Sequence, residues 1–107
     1  MENKKPQLIY ENGNQKVEIK ILNENNYLEY DRLTKVNFVL TNIEPKTFVV
    51  MGAGIRVLKT KGGIINTEIN VPNNYLETDT LNIKIRFGKN RVENYEFYIP
   101  MKKAERN

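Results

Sequence analysis

Leu81-Asn82-Ile83-Lys84-Ile85-Arg86-Phe87, then Gly88-Lys89-Asn90, then Tyr95-Glu96-Phe97-Tyr98-Ile99: this stretch decides the fold. Leu81, Ile83, Ile85 and Phe87 recur at every second position, with Asn82, Lys84 and Arg86 between them. Side chains alternate across a strand, so one face is apolar and the other solvated. The same rhythm returns in Tyr95, Phe97, Ile99 and Met101. Two alternating runs joined by a Gly/Asn-containing link predict an antiparallel hairpin whose apolar face needs cover.

The preceding residues supply that cover. Residues 6–10 form a short strand candidate that ends at Asn12-Gly13-Asn14. Residues 16–21 point Val17, Ile19 and Ile21 inward, and residues 35–41 point Val36, Phe38 and Leu40 inward with Asn37 outward. Asn42-Ile43-Glu44-Pro45-Lys46 reads as a turn, because Pro45 pushes Glu44 out of the helical region. Residues 47–51 are β-branched and apolar throughout, which predicts a strand covered on both faces, and Gly52-Ala53-Gly54 predicts a bend within that run. Residues 55–58 resume it, Lys61-Gly62-Gly63 turns the chain, and Ile65, Thr67, Ile69 and Val71 alternate again up to Pro72-Asn73-Asn74.

No segment holds a 3.6-residue period for three turns; a single helical turn over residues 27–32 is the most that the sequence supports. The expectation is therefore all-β: an immunoglobulin-like antiparallel β-sandwich of about seven strands, with turn signals every ~8–12 residues. At 107 residues the chain forms one domain, with residues 1–5 and 102–107 expected to fray. Apolar residues make up 39% and charged residues 28%, a balance that suits a folded globular chain rather than a disordered one. No run approaches the ~20 apolar residues of a membrane helix. The start, Met1 to Pro6, is charged and has no apolar h-region, so no signal peptide is expected there and a cytoplasmic location stays open as an expectation.

One nine-residue stretch occurs twice. Asn25-Asn26-Tyr27-Leu28-Glu29-Tyr30-Asp31-Arg32-Leu33 returns as Asn73-Asn74-Tyr75-Leu76-Glu77-Thr78-Asp79-Thr80-Leu81, differing only at Tyr30/Thr78 and Arg32/Thr80. Each copy precedes an alternating strand. The favoured reading is a strand-entry device, in which Asn and Asp satisfy local backbone groups while Tyr and Leu plug the end of the core. A pair of binding loops presenting Tyr27 and Tyr75 is the functional counterpart.

The chemistry narrows by elimination. His, Cys, Ser and Trp are absent, which removes the usual general base, the thiol and serine nucleophiles, and nitrogen or sulfur metal ligands. Asp31 and Asp79 are the only aspartates. They could pair for glycoside hydrolysis or calcium, yet neither copy has the closely spaced acidic ligands of a calcium loop, so turn-forming Asp is preferred. Gly52-Ala53-Gly54 lacks the third glycine and the following helix of a dinucleotide site. No catalytic residue, cofactor or metal ligand is assigned.

Net charge is +4, but basic and acidic residues intermingle. Lys84, Arg86, Lys89 and Arg91 nevertheless gather on the hairpin and its tip, with Tyr98 on the same outer face. Such a strip could follow a nucleic-acid backbone. Glu93 and Glu96 are expected opposite it, neutralising it by cross-strand pairing and leaving a solvated face.

From Leu28 onward the layout resembles a repeated immunoglobulin-like domain of the periplasmic gliding-motility and type IX secretion proteins of the GldM family. The resemblance rests on Leu28-Glu29-Tyr30-Asp31 before Lys35-Val36-Asn37-Phe38-Val39-Leu40, on Gly62-Gly63 before residues 65–71, and on the final hairpin. Arg32-Leu33 stands where the family pattern has an Asn-Pro-like turn, and the chain carries no membrane anchor like the family's. The resemblance implies a non-enzymatic component of the bacterial cell envelope. The expected function is a β-sandwich module that binds another protein through Tyr27, Tyr75 and the hairpin face, with weak self-association through an edge strand as a further mode. A polyanion or nucleic-acid binder using Lys84, Arg86, Lys89 and Arg91 is the alternative.

Overall fold

The computed structural model describes residues 8–22, 27–88 and 93–103. Among these residues nine strands are present: β1 (Ile9–Asn12), β2 (Gln15–Ile21), β3 (Leu28–Glu29), β4 (Thr34–Thr41), β5 (Val49–Met51), β6 (Ile55–Lys61), β7 (Ile64–Ile69), β8 (Thr80–Phe87) and β9 (Glu93–Lys102). They form a five-stranded sheet in the order β1-β2-β4-β7-β6 and a four-stranded sheet in the order β3-β9-β8-β5. The fold is an all-β sandwich.

The two inner faces meet in one core. Val17, Ile19 and Ile21 of β2, Val36 and Phe38 of β4, and Ile65 and Ile69 of β7 face Leu81, Ile83, Ile85, Phe87, Phe97 and Ile99 of the opposing sheet. All of them are buried, as the alternation requires. Aromatic rings knit the hairpin end. Tyr10, from edge strand β1, crosses to Tyr95 at 4.5 Å and to Phe87 at 6.0 Å, while Phe48 lies 6.0 Å from Phe38 and 6.4 Å from Phe87. The buried Thr67 hydroxyl donates to the Val36 carbonyl at 2.7 Å, so this polar atom inside the core has a partner.

Several expectations change. Residues 47–51 are not a strand covered on both faces, and residues 55–58 do not continue it in the same sheet. A single-turn 3₁₀ helix, Pro45–Thr47, leads into β5 at the edge of the four-stranded sheet, and β6 is at the edge of the five-stranded sheet. Gly52-Ala53-Gly54 is where the chain crosses between them. Gly54 has φ +73°, and a Cβ there would come within 2.4 Å of the Asn70 carbonyl oxygen, so the crossing requires glycine. No helical turn forms over 27–32. Leu28 and Glu29 instead pair in parallel with Met101 and Lys102, which makes the smaller sheet mixed and gives more strands than expected. Lys102 is therefore held in β9, and its carbonyl accepts the Tyr30 amide at 3.0 Å.

Candidate functional site

The four-stranded sheet has a solvent-facing side set by register. Across β8 and β9, Asn82 is opposite Tyr98, Lys84 opposite Glu96, and Arg86 opposite Asn94. Because facing partners share a side, all six belong to the outer face. β5 extends it: Val49 pairs with Arg86 and Met51 with Lys84, whereas Val50 pairs with the buried Ile85. Tyr98 and Met51 are both substantially exposed, at 55% and 41%. A shallow depression between the strands is lined by Lys84, Arg86, Asn94 and Glu96.

Glu96, opposite Lys84, organises this face without a direct ion pair to Lys84 or Arg86. Its carboxylate accepts the Tyr98 hydroxyl at 2.9 Å and the Asn82 side-chain amide at 3.2 Å. The hydrogen bond to Glu96, with the carboxylate's charge, raises the pKa of the Tyr98 hydroxyl. Among the described residues the ion pairs are Lys16–Glu18, Arg32–Glu29 and Arg56–Glu68, and none involves Lys84 or Arg86. Glu93 pairs with the buried Phe87, so its position belongs to the core-facing side rather than opposite the strip. Glu96 thus takes the expected place opposite Lys84, though without a direct ion pair, whereas Glu93 does not lie opposite the strip. Lys89 and Arg91 lie outside the described residues.

Tyr27 and Tyr75 belong to the other end of the sandwich, away from the hairpin turn. Tyr75 is 63% exposed in the loop between β7 and β8, and the Lys102 ammonium is 4.2 Å from the centre of the Tyr27 ring. The two copies of the echo are clasped to each other. The Tyr30 hydroxyl donates to the Asp79 carboxylate at 2.7 Å, and the Asp31 carboxylate accepts the Asn73 amide at 3.1 Å. Burial first, and then Asp79, push the Tyr30 pKa up to about 12. Of the residues that the copies share, Leu28 is buried and Leu76 packs against the core as the strand-entry reading requires, while Tyr27 is half-buried and Tyr75 exposed; the buried tyrosine is Tyr30, where the copies differ. Both aspartates are engaged in this clasp. Among the described residues no group of three or more acidic side chains could hold a metal ion, and no helix is long and apolar enough to cross a membrane.

The structure thus brings Lys84, Arg86 and Tyr98 together on one face and separates them from Tyr27 and Tyr75. Val49 and Met51 were missed, since only the pairing of β5 with β8 brings them there. Comparison with protein-family models, with curated proteins and with solved structures finds no match.

Proposed function

We propose that this chain is a non-enzymatic β-sandwich module that binds another protein through the outer face of its four-stranded sheet. The observation that carries the reading is the composition of that face. Tyr98, Arg86 and Met51 share it, whereas the outer side of a solvated sheet ordinarily alternates to small polar and charged residues. Tyr, Arg and Met are the residue types enriched in protein interfaces. Tyr98 is a pre-oriented anchor, because Glu96 restrains its hydroxyl and less side-chain freedom is lost on binding. Arg86 and Lys84 supply charge for orienting an acidic rim on the partner. Photocrosslinking from position 98 is the test of this reading.

Placement in a bacterial cell envelope goes with the likeness in layout to the gliding-motility and type IX secretion domains and is part of the proposal. Fractionation of source cells, with antibody against the chain, tests it.

One observation favours a second reading, binding of a polyanion such as single-stranded nucleic acid: Lys84 and Arg86 have no ion-pair partner among the described residues. If these two with Lys89 and Arg91 contact phosphates, a labelled oligonucleotide should bind with a log–log salt slope near ~−3, and Arg86→Glu should abolish binding. The protein-binding reading expects no oligonucleotide affinity at physiological salt.

A further inference from the structure

Among the described residues four strands lie at sheet edges, and three are short: β1 has 4 residues, β5 has 3 and β3 has 2. The fourth, β6, has 7. Short edges are one way natural sheets avoid stray pairing, so a long one calls for a reason. Its side chains make the case sharper. Val57 pairs with the buried Thr67 and so occupies a core-side position, yet it is 50% exposed. Leu58, at the register shift between Val57 and Lys59, is 41% exposed. On the outer side, Arg56, Lys59 and Lys61 face Glu68, Asn66 and Ile64. Arg56 is held by Glu68, and Lys59 and Lys61 enter no ion pair among the described residues.

We propose that β6 is a docking edge for an extended acidic segment of another protein, which adds to the five-stranded sheet as a further strand. Backbone hydrogen bonds along β6 would supply affinity, and alternate side chains would supply selectivity. An incoming strand with apolar residues on the core side would cover Val57, and its backbone would run along the exposed Leu58. Acidic residues on its outer side would meet Lys59 and Lys61. A second copy fits poorly, because a two-fold pairing of β6 with itself brings two rows of like charge together on one face. Lysines and a bulge also blunt an edge against aggregation, but blunting alone gives no reason to leave Val57 and Leu58 uncovered. This edge belongs to the other sheet from Tyr98, so it stands or falls separately from the proposed binding face.

The test uses the whole chain, isotope-labelled, and two blocked synthetic peptides matching β6 in length. One alternates glutamate with valine and threonine; the other has lysine in place of glutamate. Resonance shifts and amide exchange are followed across residues 55–61. The acidic peptide should slow exchange there and bind about tenfold more tightly than the basic one, the effect of two modest ion pairs. Lys59→Glu with Lys61→Glu, checked for an unchanged circular dichroism spectrum, should reverse that preference. Absence of β6 protection, or equal binding of both peptides, would overturn the proposal. So would displacement of the acidic peptide by an equal concentration of oligothymidylate, which would mark a general polyanion site. Concentration-dependent protection of β6 without any peptide would overturn it in favour of a second copy.

Discussion

Replacing Tyr30 by phenylalanine removes one hydroxyl from the clasp between the two copies of the echoed sequence and leaves the ring to pack. The hydroxyl donates to a carboxylate at 2.7 Å, and hydrogen bonds to charged groups contribute ~1.5–3 kcal/mol net. Tyr30 is only 4% exposed, so its ring stays in place, whereas Asp79 is exposed and regains water when the hydroxyl is lost. That compensation places Tyr30→Phe near the lower end, about 1–1.5 kcal/mol. Asp79→Ala removes the same bond from the other side. The double variant should cost less than the sum of the singles, leaving a coupling of about 1 kcal/mol. Urea unfolding followed by circular dichroism measures all four proteins, and the midpoint should move while the slope does not. A loss within about 0.3 kcal/mol for Tyr30→Phe, with additive singles, would refute the clasp as a stabilising contact.

Two further outcomes follow from the core and from titration. Phe97, 1% exposed and in edge-to-face contact with Tyr95, should cost about 3–5 kcal/mol when replaced by alanine, measured by the same unfolding assay. Because the folded state raises the Tyr30 pKa from 10.0 to about 12, it holds that proton more tightly than the unfolded chain does. The resulting stabilisation is complete below pH 10 and is lost as pH rises toward 12. Thermal unfolding at stepped alkaline pH should show that loss, and Tyr30→Phe should flatten it.

Alternation alone located most of the core. Every second residue from Val17 to Ile21, from Val36 to Leu40 and from Leu81 to Phe87 is buried as its parity requires. Parity also placed Lys84, Arg86 and Tyr98 on one outer face. The run over 47–58 misled because β-branched residues favour strands whether covered or exposed, so composition could not distinguish two edges from one central strand. β3 spans only Leu28 and Glu29, too short for any period to show. Glu93 was misplaced although it shares parity with Tyr95, Phe97 and Ile99 on the same strand, which already puts it on the apolar side. Val49 and Met51 joined the candidate face through a pairing of strands far apart in sequence. The echo was visible as a repeat, but contact between its copies is a tertiary fact that local patterns do not encode.

The binding face is tested most directly by crosslinking inside source cells. Benzoylphenylalanine is placed at position 98, and as a control at position 33, where Leu33 is 54% exposed and lies outside this face. The account predicts one dominant protein adduct from position 98, the same by mass spectrometry in repeated preparations. That adduct should be lost on adding Arg86→Glu and absent when the label is at position 33. A nucleic-acid adduct, no adduct, or the same scattered adducts from both positions would contradict it.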